Sequence, residues 1–96
     1  MGTFVTTVKF TDQGMKDMKS TCKRAEKFKA TAEPLGIQVK EIFWTLGPVD
    51  GVLIFDAPDE ETATTAMLHL ASFGNVHTQT SRAYRADEME GIVGKL

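Results

Sequence analysis

Apolar and polar residues alternate at the start of the chain. The segment TFVTTVKF, residues 3–10, places three apolar side chains on one face and Thr7 and Lys9 on the other. Alternation with a period of two is typical of a β-strand with one face in water. The apolar residues of the first face are Phe4, Val8 and Phe10. The pattern predicts that the first element is a strand.

A helical spacing follows this strand. Thr11 is a typical N-cap residue, and Asp12 places a negative charge in the first turn, where the helix dipole favours it. Steps of three and four residues then predict one apolar face on a helix over about residues 12–33, which Pro34 ends. That face consists of Met15, Met18, Cys22, Ala25, Phe28 and Ala32.

The middle of the chain predicts two further strands. In IQVKEIFWTL, residues 37–46, the apolar positions change parity near Lys40 and Glu41. Either a β-bulge re-aims the strand there, or its two parts bury opposite faces. The nearly uninterrupted apolar run GVLIFDA, residues 51–57, predicts a central strand that is covered on both sides. The link between the two strands, LGPVDG, is rich in turn-forming residues.

The last third of the chain repeats the strand–helix–strand order. Asp59 is the predicted N-cap of a second helix, and Gly74-Asn75 is its predicted end. Residues 76–84 return to a strand, and about residues 87–95 form a short C-terminal helix. The apolar stripe of the second helix consists of Ala63, Ala66, Met67, Leu70, Ala71 and Phe73.

These elements predict a ferredoxin-like α+β fold of βαββαβ order, with a four-stranded antiparallel sheet and two helices on one face. The two helices are too short to cover Trp44, Phe55 and their neighbours. We therefore expect a second subunit to cover the bare face of the sheet, as in a dimeric α/β barrel. The expected partner is a further copy of the chain, in a dimer or an assembly of dimers.

The predicted topology brings three distant segments to one end of the sheet. They are FTDQG (10–14), LGPVDG (46–51) and FGNVHTQT (73–80). Asp50 and His77 are the candidates for an acid–base pair there, although Asp50 also suits a hairpin turn and a lone histidine suits a structural role. The full set of candidate ligand-binding residues is Asp12, Trp44, Gly47, Asp50, Asn75, His77, Thr78 and Arg82.

Composition narrows the range of functions. With 96 residues, the chain predicts one domain over residues 1–96. A net charge of −2 gives no electrostatic basis for nucleic-acid binding. The single cysteine, Cys22, allows no internal disulfide, and no apolar run is long enough to span a membrane. No spaced metal ligands or cofactor motifs occur, so we expect a cytoplasmic protein with no cofactor, no bound metal and no membrane association.

Several segments together resemble the GYD-domain family of small, mostly prokaryotic proteins. They are FTDQG, Lys23-Arg24, TLGPVD, APDEETA and GNVHTQTSRAY, which span nearly the whole chain. The resemblance implies a ferredoxin-like fold of the dimeric-barrel type and no settled biochemical function. Two positions depart from the family pattern. Val49 replaces the tyrosine of the Gly-Tyr-Asp motif, and His77 replaces an arginine.

Three functions are compatible with these features. The first, which we favour, is a non-catalytic oligomer that binds a small molecule or acts as a scaffold. The second is a cofactor-independent oxygenase or isomerase that uses Asp50 and His77 for proton transfer, an interpretation by analogy of fold alone. The third is a regulatory module that binds another protein. An apolar pocket lined by Trp44 and Arg82 would favour the first two functions.

Overall fold

A computed structural model of residues 1–96 contains four strands and four α-helices. In chain order they are β1 (Gly2–Phe10), α1 (Asp12–Lys16), α2 (Thr21–Ala32), β2 (Gln38–Trp44), β3 (Gly51–Ala57), α3 (Glu60–Ser72), β4 (Val76–Ala83) and α4 (Ala86–Val93). Short 3₁₀ turns at Met18–Ser20 and Glu33–Leu35 flank α2. The C-terminal helix predicted at about 87–95 thus lies at Ala86–Val93.

The strands form one antiparallel sheet in the order β2-β3-β1-β4. Phe4 of β1 lies opposite Phe55 of β3 on one side and opposite Arg82 of β4 on the other. This order and the two crossover helices are those of the predicted ferredoxin-like α+β fold. The pairing between β2 and β3 shifts between Val39 and Glu41, so the bulge alternative is the correct one.

The hydrophobic core lies between the sheet and helices α2 and α3. The rings of Phe4 and Phe55 stack with centroids 5.4 Å apart, and Phe55 is completely buried. The hydroxyl of Thr6 contacts the sulfur of Met67 at 3.5 Å, which ties the middle of β1 to α3. The core residues are Phe4, Phe28, Ala32, Ile37, Leu53, Phe55, Ala57, Ala63, Ala66 and Met67.

The prediction of one continuous helix over residues 12–33 was wrong, because the chain bends at Asp17. There the side chain of Ser20 donates to the Asp17 carboxylate at 3.0 Å. The guanidinium of Arg24 donates to the Asp17 carbonyl at 2.5 Å and to the Gly14 carbonyl at 3.3 Å. Because the Arg24 side chain satisfies carbonyl groups that a continuous helix would pair internally, α1 ends at Lys16 and α2 begins separately at Thr21.

The prediction that Trp44 and Phe55 belong to the bare face of the sheet, which a second subunit would cover, was also wrong. Both lie on the helix side of the sheet, where Phe55 is buried by the core and Trp44 donates from Nε1 to Thr21 Oγ1 of α2 at 2.9 Å. The bulge in β2 sets this orientation, because its extra residue brings Trp44 onto the same face of the sheet as Val39. The other face is the one that no helix covers, and alternation assigns it Val5, Thr7, Phe43, Val52 and Ile54.

Candidate functional site

Three distant segments meet at one end of the sheet, as the sequence predicts. We call this region the hairpin end; it comprises residues 10–15, 44–51 and 73–77. The N–H of Thr11 donates to the carbonyl of Asn75 at 3.0 Å. The side-chain amide of Gln13 donates to the carbonyl of Phe73 and to Oδ1 of Asn75, both at 2.9 Å. These bonds fix the start of α1 against the loop that leaves α3.

Asp50 joins the β2–β3 hairpin to the end of β1. Its Oδ2 atom accepts a hydrogen bond from the backbone N–H of Phe10 at 2.9 Å. Its own N–H donates to the carbonyl of Val8 at 2.8 Å, and its carbonyl accepts from the N–H of Thr45 at 2.9 Å. Both the backbone and the carboxylate of Asp50 therefore serve to hold the hairpin in place.

His77 takes no part in the hydrogen bonds that Asp50 forms. It is exposed in β4 opposite Lys9, whereas Phe10, the hydrogen-bond partner of Asp50, lies opposite Val76. No hydrogen bond or ion pair joins Asp50 to His77. Of the other candidates in this region, Asp12 is exposed in the first turn of α1. Gly47 is exposed in the hairpin with φ of 143°, a conformation that favours glycine.

The remaining β4 candidates point towards the helix side of the sheet. Thr78 lies opposite Val8. Arg82 lies nearer the other end of β4, with its guanidinium 4.6 Å from the Tyr84 ring centroid and 3.5 Å from the Glu88 carboxylate. Its contacts tie α4 to the sheet, so the structure does not bring Arg82 together with Trp44.

A pocket opens between α2, α3 and the sheet, next to the hairpin end. We call it the interhelical pocket; its volume is about 230 Å³. Residues of both helices and of the sheet form its mainly apolar wall. The apolar lining residues are Val8, Phe10, Ala25, Phe28, Ile42, Phe43, Trp44, Val52, Leu53, Leu70, Phe73 and Val76. Two of the predicted candidates, Trp44 and Asn75, line this pocket.

The polar part of the pocket wall carries positive charge and no carboxylate. Besides Gly51, its remaining lining residues are Thr21, Arg24, Lys27, Thr31, His69 and Asn75. Arg24 is engaged with Asp17 and Gly14. The Lys27 ammonium lies 6.0 Å from the centroid of the Phe73 ring, and the His69 ring meets the same ring edge-on at 5.0 Å.

Most of this pocket was not predicted from the sequence. Arg24 and Lys27 were not among the candidate site residues, and His69 and Phe73 could not be placed beside them. One signal was present: Arg24 and Lys27 are three residues apart and flank the apolar positions Ala25 and Phe28, so they border the buried stripe of the helix. Their position opposite α3 depends on the tertiary fold.

The structure contains no cluster of three or more His, Cys, Asp or Glu side chains that could hold a metal ion. None of its helices combines the length and the apolar character that crossing a bilayer requires.

The family assignment follows from comparison with known sequences. The GYD domain matches residues 4–93 of the chain. The chain belongs to the GYD-domain family. It is similar to the glutamine synthetase and cystathionine beta-lyase binding protein of Thermus thermophilus. The two are 36% identical over 84 residues, which cover 86% of this chain and 88% of that protein.

Solved structures confirm the fold of this GYD-domain chain. MtbAldR superimposes with a TM-score of 0.68 at 13% identity, over 88% of the chain and 52% of MtbAldR. The chain therefore spans about half the length of MtbAldR. TTHA0845 from Thermus thermophilus superimposes with a TM-score of 0.58 at 23% identity, over 90% of the chain and 96% of that protein.

Proposed function

We propose that the protein is a non-catalytic scaffolding oligomer that binds a metabolic enzyme through its hairpin end. The observation that carries the proposal is an exposed apolar surface at that end. Leu46 is fully exposed, and the side chains of Met15, Trp44 and Phe73 are each about half exposed. Large apolar residues that cluster on a surface are typical of protein-interaction sites.

The relationship to the Thermus thermophilus protein supports this choice of partner. That relative is named for binding glutamine synthetase and cystathionine beta-lyase, and its similarity extends over most of both chains. Enzymes of these two kinds are therefore the first partners to test. We propose the cytoplasm as the compartment where they meet, since the lone, exposed Cys22 needs no oxidising environment.

The uncovered face of the sheet supports self-association. Val5 lies opposite Ile54, and Val52 lies on the same face two residues along β3, so these three residues form an apolar strip on this face. A second copy that packs face to face would remove the strip from water, in the manner of a dimeric α/β barrel. The hairpin ends of both copies would then remain available for an enzyme partner.

The geometry gives less support to a proton-transfer enzyme. The acid–base hypothesis requires Asp50 and His77 to act on the same substrate atoms. The Asp50 carboxylate instead accepts a hydrogen bond from the backbone of Phe10, and no hydrogen bond or ion pair joins it to His77. Binding therefore accounts for this end of the molecule better than proton transfer does.

Surface plasmon resonance tests the proposal with glutamine synthetase and cystathionine beta-lyase from the organism that supplies the chain. We expect saturable binding to at least one enzyme and at least a tenfold loss of affinity in Leu46→Glu, because a charge would enter the apolar contact. The matched control is Leu68→Glu, which alters an exposed leucine on α3. Failure of both enzymes to bind, or equal effects of the two substitutions, would contradict the proposal.

A further inference from the structure

The interhelical pocket has the size and lining of a small-molecule site. An apolar protein cavity of roughly 150 Å³ accommodates benzene. The pocket volume of about 230 Å³ therefore allows an aromatic ring with a short side chain. Phe28 and Leu53 are buried beneath it, and the indole of Trp44 is held beside it by the bond to Thr21. The ring of a ligand would meet apolar surface on several sides.

The charges around the pocket favour a ligand that carries an anionic group in addition to its ring. The lining includes the cations Arg24 and Lys27 but neither aspartate nor glutamate. Arg24 already pairs with Asp17 at 3.3 Å. Lys27 forms no ion pair, and its ammonium lies near the Phe73 ring at the pocket wall. An anionic group at this position would gain a charge-assisted hydrogen bond and meet no repelling carboxylate.

We propose that the interhelical pocket binds a small aromatic monocarboxylate. The ring occupies the apolar space between Trp44 and Phe28, and the carboxylate lies at Lys27. A chain of two or three carbons between these groups matches the volume that remains beside the ring. The proposal does not rest on the enzyme partner, because the pocket is formed within one copy of the chain.

The first experiment measures the affinity of the wild-type chain for 3-phenylpropionate and for the neutral 3-phenylpropanamide. Trp44 is the only tryptophan, so its fluorescence reports directly on the pocket. We expect saturable binding of the carboxylate with a Kd below about 1 mM and about two- to fivefold weaker binding of the amide. No saturable change with either compound, or equal affinity for both, would overturn the proposal.

Two substitutions on α2 test the position of the carboxylate. Lys27→Gln should remove the preference for the acid over the amide. Lys23→Gln removes a charge from the same helix outside the pocket and should leave that preference unchanged. If both variants keep the preference, or both lose it, the carboxylate does not lie at Lys27 and the proposal fails.

A third substitution tests the position of the ring. Ala25→Leu fills the pocket and should weaken binding of both compounds at least tenfold, with a circular dichroism spectrum that remains native. If this variant does not fold, nuclear Overhauser effects in the wild-type protein decide the matter. Contacts between the ligand ring and the indole of Trp44 would support the proposal, whereas contacts confined to the exposed sheet face would overturn it.

Discussion

The carboxylate of Asp50 accepts the backbone N–H of Phe10 at 2.9 Å, which joins the β2–β3 hairpin to the last residue of β1. The two residues are 40 positions apart in the sequence. The bond satisfies an amide at the end of a strand, where the ladder supplies no further partner. The only aspartate of LGPVDG is thus a structural acceptor and also a turn residue.

Two substitutions of Asp50 separate its acceptor role from its charge. Asp50→Ala should lower the free energy of unfolding by about 1–3 kcal/mol, because it leaves the half-buried Phe10 N–H without a partner. Asp50→Asn retains an acceptor oxygen and suits the turn, so it should cost less than about 1 kcal/mol. Urea denaturation measures both. Equal losses in the two variants would show that the charge matters more than the acceptor.

Gly14 and Gly91 should respond in opposite directions to the same substitution. A Cβ atom on Gly14 would collide with the carbonyl oxygen of Asn75, so Gly14→Ala should destabilise the protein by about 1–3 kcal/mol. Gly91 in α4 has open space around it. There alanine should favour the helix, by up to about 1 kcal/mol. Thermal denaturation that raised the Tm of both variants would contradict the packing of α1 against the Asn75 loop.

Asp59 should make part of the stability depend on pH. The N–H of Thr62 donates to Asp59 Oδ1 at 2.8 Å, and this backbone bond, followed by the Thr62 side chain, lowers the pKa of Asp59. A lowered folded-state pKa stabilises the fold above the unfolded-state pKa, and this contribution is lost as the pH falls through the folded value.

The substitutions Asp59→Ala and Asp59→Asn measure this contribution in denaturant melts at several pH values. At neutral pH, alanine should destabilise the protein and asparagine should preserve most of the cap. The difference between wild type and Asp59→Ala should shrink as the pH falls below about 4. A difference that stayed constant down to about pH 2 would show that the ionised cap does not cause it.

The uncovered sheet face should be the surface through which copies associate. Ile54→Lys places a charge in the middle of its apolar strip and should convert a dimer to a monomer, because a buried unpaired charge is costly. Thr64→Lys adds the same charge on the exposed side of α3 and should leave the dimer intact. Light scattering at equal concentrations compares them. A dimer that persists in Ile54→Lys would place the interface elsewhere.

The sequence predicted those features that local chemistry determines. Alternation located β1 and the apolar run of residues 51–57 located β3, while the side chains of Thr11 and Asp59 marked two helix starts and the parity change marked the bulge in β2. The break at Asp17 could not be predicted in the same way. It depends on the Arg24 guanidinium reaching back to carbonyl groups, and no helical spacing encodes that contact.

The candidate site was predictable in its location but not in its composition. Strand direction alone brought Asp50 and Asn75 to one end of the sheet. The orientation of each side chain required the register, which leaves His77 exposed opposite Lys9 and places Arg82 nearer the other end of β4. The interhelical pocket required still more, since its wall combines residues of α2 and α3 whose separation depends on the packing of the core.

The most direct test of an oligomeric enzyme-binding protein is sedimentation velocity of the purified chain, alone and mixed with each proposed enzyme. The chain has a mass of 10.6 kDa. We predict that it sediments alone as a dimer or an assembly of dimers and moves into the faster boundary of at least one enzyme. A monomer that sediments separately from both glutamine synthetase and cystathionine beta-lyase at micromolar concentration would contradict the account.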